Sequence, residues 1–255
     1  MLQLITNEAC RNLILFRRYL GESVASLVVL MLVFYGLFLG TRYMAGPTAQ
    51  FGDRLDAMVV GFVLWTLILS SFAGLAQNLA EEAQTGVMEQ VFLSSYPPTV
   101  VFLARCVSSV GFILLVNGAV LAALILLTGA RIVLPLAVIP PVITILMASY
   151  GLGFALASLA LRFKRVTQLV NLGQFALLFL VMTPFEHWQS PVPGYVLPMA
   201  PGVGLTREVM AHGGSLDGSM MSAAALNGLV YLALGVWAFQ VGIRKVKSQG
   251  LLSGY

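Results

Sequence analysis

Apolar residues fill six windows along the chain, near 23–44, 58–79, 104–128, 135–161, 167–185 and 219–242, with short polar stretches between them. A hydrocarbon core roughly 30 Å thick is crossed by about 20 residues of helix. Each window therefore predicts one transmembrane helix, and the chain reads as an all-α membrane protein of about six spans. The first twenty residues follow another rule. Leu2, Ile5, Ala9, Leu13, Phe16 and Leu20 recur at helical spacing, while Gln3, Asn7, Arg11 and Arg18 take a different face. This predicts an amphipathic interface helix over 1–22; a charged flank to the first span is the plainer alternative.

Two polar stretches break the pattern. The stretch 80–98 places Glu81, Glu82 and Glu89 at a membrane surface with no basic residue beside them in sequence. It ends in Tyr96-Pro97-Pro98, which should stop a helix, since proline lacks an amide donor and restricts the residue before it. The stretch 185–218 mixes Phe185, Trp188 and Tyr195 with Pro191, Pro193, Pro198 and Pro201. Interfacial aromatics and repeated proline breaks predict short re-entrant helices there, not a seventh span.

Composition agrees with a membrane class. Hydrophobic residues make up 59% and charged residues 9%, against about a quarter charged in soluble domains, and mean hydropathy is +0.92. No polar block is long enough for a second folded unit, so residues 1–255 read as a single membrane domain. The net charge of +4 does not point to nucleic acid, because the basic residues sit in clusters beside apolar runs. Arg11, Arg17 and Arg18, then Arg105, then Arg162, Lys164 and Arg165, then Arg244, Lys245 and Lys247 fall on one side, and Arg42, Arg54, Arg131 and Arg207 on the other. By the positive-inside rule both termini are expected in the cytoplasm. The first apolar run exceeds a signal-peptide core, and Gly40-Thr41-Arg42 lacks a small-x-small cleavage pattern, so it is read as a mature span.

Candidate chemistry is sparse. The spans hold essentially no ionisable side chain, where a membrane enzyme would need several at one depth. His187 and His212 lie near Glu186, Glu208 and Asp217 in sequence but form no HExxH or comparable spacing, so no catalytic residue and no metal site is assigned. No GxxxxGK[ST] loop occurs, and none of the three lysines, Lys164, Lys245 and Lys247, follows glycines in that pattern, so no ATP site or other cofactor is expected in this chain. Cys10 and Cys106 form no CxxC pair. Gly36-x-x-x-Gly40, Ser149-x-x-x-Gly153 and Gly153-x-x-x-Ala157 have the spacing that lets helices approach closely in lipid.

The run Glu82-Ala83-Gln84-Thr85-Gly86-Val87-Met88-Glu89-Gln90-Val91-Phe92-Leu93-Ser94 resembles the ABC-2 permease pattern: an acidic residue, then Gly-[Thr/Val]-[Leu/Met]-Glu and an apolar turn before a Ser/Pro break. Leu159 to Val166, followed by an apolar span ending Thr183-Pro184-Phe185-Glu186, is similar to the junction of spans four and five in the same family. Many polysaccharide-exporting members have Arg-Asp where this chain has Lys164-Arg165, which argues against that branch. The resemblance implies a cell-membrane export subunit for an amphipathic or hydrophobic substrate such as a lipid, lipid-linked glycan or drug. It also implies a separate ABC ATPase that binds ATP and Mg, and a second permease copy or homologue.

By the same resemblance, Glu82, Gly86, Glu89, Gln90, Ser94 and Pro97 belong to a coupling element docked on the ATPase. The interface helix with Arg11, Arg17 and Arg18 packs beside it. Arg162, Lys164 and Arg165 form the cytoplasmic junction, and Pro184, Phe185 and Glu186 lie at the outer re-entrant region. Glu82 and Glu89 could meet a basic groove on the ATPase, so lysine at either position is expected to uncouple transport while leaving the protein folded. Two other classes remain open on sequence: a membrane-surface enzyme using Glu186, His187 and His212, and a scaffold or sensor whose acidic loop binds a partner.

Overall fold

The computed structural model describes residues 2–18, 20–45, 52–84, 87–94, 96–130, 132, 134–160, 167–183, 185, 192–213 and 216–248. These form α1 (Leu2–Arg18), α2 (Leu20–Ala45), α3 (Gly52–Gln84), α4 (Val87–Leu93), α5 (Pro98–Thr128), a 3-10 turn (Leu136–Val138), α6 (Ile139–Ala160), α7 (Thr167–Met182), α8 (Val192–Val196), α9 (Ala200–His212) and α10 (Gly218–Ser248). Among the described residues there is no strand.

Local sequence sets several helix ends. Pro98 opens α5 at the first helical position with Pro97 as its N-cap, where the missing amide costs nothing and the fixed φ suits a helix. Gly129 closes α5 in the left-handed conformation, its N–H reaching the Ile125 carbonyl. Asp217 starts α10: its Oδ1 accepts from Ser219 N at 3.0 Å and its Oδ2 from Ser219 Oγ at 2.9 Å. Those backbone and hydroxyl hydrogen bonds hold its carboxyl below the usual carboxylate range.

α3 is central. In the 18-residue apolar window within Leu55–Leu79, 72% of residues are buried by protein, against 22% in the corresponding window of α5, so α3 is enclosed while α5 lies at the edge. Phe34 of α2 packs on Phe62 of α3 with ring centroids 4.6 Å apart. Thr66 of α3 lies 2.6 Å from Asn117 Oδ1 of α5. Phe239 of α10 meets Phe102 of α5 edge-on at 5.5 Å and Phe154 of α6 at 5.3 Å.

The closest helix pair is α6 with α10, and glycine makes it possible. A methyl group on Gly235 would overlap the Gly151 carbonyl, and one on Gly151 would overlap the Tyr231 carbonyl. On Gly228 it would come 2.8 Å from Thr144 O, and on Gly242 2.6 Å from Ser158 Oγ. Gly228, Gly235 and Gly242 recur every seven residues, as do Thr144, Gly151 and Ser158 opposite them. That period marks a left-handed seam, and backbone approach at small residues is how helices gain packing energy in lipid.

Each of the six apolar windows falls on a helix: α2, α3, α5, α6 with its 3-10 lead-in, α7 and α10. Among the described residues four segments are long and apolar enough to cross a bilayer: Leu55–Leu79, Pro98–Thr128, Leu136–Ala160 and Gly218–Val246. α2 and α7 carry shorter apolar stretches, Val28–Gly40 and Gln168–Met182. Tyr96-Pro97-Pro98 separates α4 from α5 as expected, although α5 begins several residues before its apolar window and so contains Arg105. Between α7 and α10 the described helices are two short ones, α8 and α9, with no continuous span.

The small-residue pairs divide. Gly153 lies against the Phe72 carbonyl of α3, with 3.1 Å left for a methyl group, whereas Gly36 and Gly40 have open space on all sides.

Candidate functional site

The amphipathic pattern of the first residues folds as α1, which packs on α5. It brings Glu8 and Arg11, one helical turn apart, to the point where α3 ends and α5 begins. There the four side chains Glu8, Arg11, Glu82 and Arg105 close a ring. Arg11 donates from Nη1 to Glu8 Oε2 at 3.2 Å and from Nη2 to Glu82 Oε1 at 2.9 Å. Arg105 donates from Nε to Glu8 Oε1 at 3.0 Å and from Nη1 to Glu82 Oε2 at 2.5 Å. All four carboxylate oxygens thus take a guanidinium N–H, and the charges alternate around the ring.

Three of the members are largely withdrawn from solvent, with Glu82 9%, Glu8 12% and Arg105 16% exposed, while Arg11 is 43% exposed. The Arg105 guanidinium also lies 4.9 Å from the Phe102 ring centroid, a cation–π contact. Burial works against the charge on Arg11, but the hydrogen bond and charge of Glu82, helped by Glu8, raise its pKa above the ordinary arginine value. Sequence placed Glu82 beside no basic partner; folding supplies two, one from each neighbouring helix. Glu8 was not singled out from sequence. The signal available was its spacing to Arg11, a salt-bridging turn on an otherwise apolar and amide-rich helix.

Behind the ring lies a partly open cleft of about 420 Å³, walled by α1, α3, α5 and α6. Its α3 wall carries Ser70, Ser71, Gly74 and Asn78, and Ser109 of α5 meets Tyr150 of α6 with their oxygens 2.8 Å apart. A second cleft, of about 290 Å³, is almost wholly apolar and lies between α3, α5 and the 3-10 turn, among Leu64, Leu67, Leu121 and Leu136.

Past the ring, α4 forms a short cap across the ends of α3 and α5. Val91 of α4 is buried, whereas Gln90, Leu93, Ser94, Tyr96 and Pro97 are exposed, Leu93 at 86%. Ser94 Oγ lies 2.8 Å from Val91 O and 3.0 Å from Tyr96 O, which tightens the turn into α5. Gly86 and the side chain of Glu89 lie outside the described residues, as do the side chain of Arg17 and the whole of Arg162, Lys164 and Arg165. Arg18 is exposed at the end of α1.

At the other end of the bundle Asn227 of α10 organises the turn between α8 and α9. Its Oδ1 accepts from Met199 N at 3.1 Å, and its Nδ2 donates to Tyr195 O at 2.9 Å and Leu197 O at 3.1 Å. Met199 there takes a left-handed φ of 64°, and Tyr231 Oη adds a bond to Val196 O at 2.9 Å. Arg207 of α9 is buried and donates to Val181 O at 2.6 Å, tying α9 to α7. Phe185 is buried in this region; Pro184, Glu186, His187 and the His212 side chain lie outside the described residues. Among the described residues no three His, Cys, Asp or Glu side chains come together as a metal site.

The model of the ABC-2 type transporter family matches residues 8–210. The chain belongs to this family. As an ABC-2 permease it is a multi-pass membrane protein and the transport subunit of an ABC transporter, a membrane domain without an ATP site of its own. Members generally work with an ABC ATPase and as dimers. Neither a curated protein nor a solved structure gives a match to this permease.

Proposed function

We propose that this permease exports an amphipathic or hydrophobic substrate, such as a lipid, a lipid-linked glycan or a drug, from the cytoplasm or the inner leaflet of the cell membrane. In this reading α2, α3, α5, α6, α7 and α10 are six spans, α8 and α9 form an outer re-entrant pair, and both termini are cytoplasmic. ATP and Mg are bound by a separate ATPase whose closure moves α4 and, through it, the spans. A second copy or a homologous permease completes the pathway.

The observation that carries the coupling role is the exposed rim of α4. A cap across two long helices that turns Gln90, Leu93 and Tyr96 outward, with an apolar residue at its tip, has the composition of a docking knob: a desolvated anchor with a polar margin. The ring beneath it supports the reading too, since it binds α1, α3 and α5 into one unit on which a push at α4 can act. The basic clusters flanking the apolar windows support the orientation, and apolar walls with few charges favour amphipathic cargo.

The test is co-purification of the permease with its cognate ATPase, together with substrate-stimulated hydrolysis after reconstitution. Leu93→Asp should abolish both while leaving the permease folded, because Leu93 is exposed in the free chain. Full assembly and stimulation in that variant would sink the assignment of α4 to docking.

A further inference from the structure

We propose that the cleft between α1, α3, α5 and α6 binds a phospholipid from the leaflet beside α1. Its phosphate is taken by Arg11, Arg105 and Asn78, and a chain runs along α3 and α5 past Gly74 and Phe112. This site lies inside one permease chain and is separate from any pathway between two copies.

The first argument is unspent hydrogen-bonding capacity. The ring uses Nη1 and Nη2 of Arg11 and Nε and Nη1 of Arg105. Among the described residues Arg11 Nε, Arg105 Nη2 and the Asn78 side-chain amide have no partner, and all three residues line the cleft. Asn78 stands one turn before Glu82 on α3, so its amide lies on the same face as the ring. Two arginines and an amide lining one space suit a phosphate, which accepts several charge-assisted bonds at once. Because the ring is neutral, its carboxylates also offer a place for the ammonium of a zwitterionic headgroup such as phosphoethanolamine.

The second argument is the shape and lining behind those donors. From Glu82 back to Ser70 the cleft follows α3 for about 18 Å at 1.5 Å per residue, with Asn78, Gly74 and Ser70 at four-residue steps along one stripe. The exposed face of α2 shows what a plain lipid-facing surface looks like in this protein: Val28, Val29, Leu32, Val33 and Leu37. The cleft instead grades from charged, through small and polar, to Phe112 and Ile113. Its volume of about 420 Å³ falls within the roughly 300–1,000 Å³ of small-molecule sites. A headgroup at the ring with a chain laid inward matches that gradient end for end.

The experiment is photo-crosslinking of the full-length permease in nanodiscs of phosphatidylethanolamine and phosphatidylglycerol. The probe is a trace of phosphatidylethanolamine bearing a diazirine at the top of one chain, and crosslinked peptides are mapped by mass spectrometry. The proposal expects labels on α3 between Ser70 and Asn78 and on α5 near Ser109 and Phe112. Gly74→Leu projects a side chain into the cleft from a position where a Cβ meets nothing within 4 Å. Asn78→Leu should lower cleft labelling about tenfold, the factor attached to a lost charge-assisted bond, and Gly74→Leu should lower it by occupying the chain's path, while labelling on α2 and α10 stays constant. Unchanged cleft labelling in both variants would overturn the proposal. So would equal labelling of the wild-type cleft by a diacylglycerol carrying the same diazirine, a comparison that needs no variant and shows the phosphate is not read. Loss of wild-type cleft labelling in excess inorganic phosphate, with labelling on α2 and α10 unchanged, would support the phosphate contact.

Discussion

Arg105 donates to Glu82 at 2.5 Å across 23 positions of sequence, joining α5 to α3 at the base of the α4 cap. The pair is largely withdrawn from water, and Glu82 holds Arg11 on its other oxygen. Removing one member of a buried ion pair costs about 3–5 kcal/mol, because the charge left behind is uncompensated. Glu82→Ala is therefore expected to lower the thermal midpoint strongly. Arg11→Ala, at the half-exposed corner, should cost no more than about 1 kcal/mol. A double variant that exchanges Glu82 and Arg105 should recover little of the loss, because it restores that one attraction but sets like charges against Arg11 and against Glu8. Thermal unfolding of the four proteins in one detergent measures this; equal midpoints for Glu82→Ala and wild type would show that the ring holds nothing together.

Lysine at Glu82 thus acquires a different meaning from the one sequence gave it. It would face Arg11 and Arg105 and destabilise the permease itself, so it cannot report on docking alone. Leu93, exposed on α4 and clear of the ring, is the position at which the proposed docking role can be tested apart from folding.

At the α6–α10 seam, Gly235→Ala must push two backbones apart, since the added methyl overlaps the Gly151 carbonyl. Overpacking of a close contact costs about 1–3 kcal/mol or more, so this variant should accumulate poorly and unfold early. Gly36→Ala is the control: nothing lies within 4 Å of its methyl, and helix propensity alone predicts a gain of about 0.5–1 kcal/mol. Fluorescence-detected size exclusion after heating compares the two, and a normal midpoint for Gly235→Ala would refute the seam.

Asn227 anchors the α8–α9 turn with three bonds no longer than 3.1 Å. Asn227→Leu leaves Met199 N and two carbonyls without it, at about 1–3 kcal/mol for buried groups left unsatisfied. The expected result is faster proteolysis between α8 and α9 with the α6–α10 seam intact. Wild-type protease resistance would mean that Tyr231, through its bond to Val196, suffices.

Much of the helical layout was legible because apolar run length is a strong and local signal: the windows near 58–79, 104–128, 135–161 and 219–242 all fall on helices long enough to cross a bilayer. Pro97 and Pro98 fixed the α4–α5 break for the same local reason. The seven-residue glycine repeat was present in the sequence at 228, 235 and 242, but a search for four-residue spacing passes over it, and nothing in α10 alone names α6 as its partner. The ring was hidden more deeply. Glu8, Glu82 and Arg105 sit in three different helices, α1, α3 and α5, so their pairing follows from tertiary packing that no sequence period encodes.

The last prediction concerns which side of the membrane each cap faces. Residue Leu93 is exposed on α4 beside the ring, and Gly213 is exposed at the end of α9. The basic clusters at Arg11, Arg17 and Arg18 and at Arg244, Lys245 and Lys247 adjoin the first and last long helices, and such clusters stay cytoplasmic because translocating them is unfavourable. With the exposed Cys10 replaced by serine and buried Cys106 retained, a cysteine at Leu93 should react with an impermeant maleimide only after the cytoplasmic face is opened. A cysteine at Gly213 should react in intact cells. Cys106 alone serves as the background, since its burial shields the thiol. Reaction of the Gly213 cysteine only after lysis, with the Leu93 cysteine reacting in intact cells, would invert the whole topology. It would also place α4 on the side where no ATP is available, and so remove the physical basis for its role as the ATPase docking element.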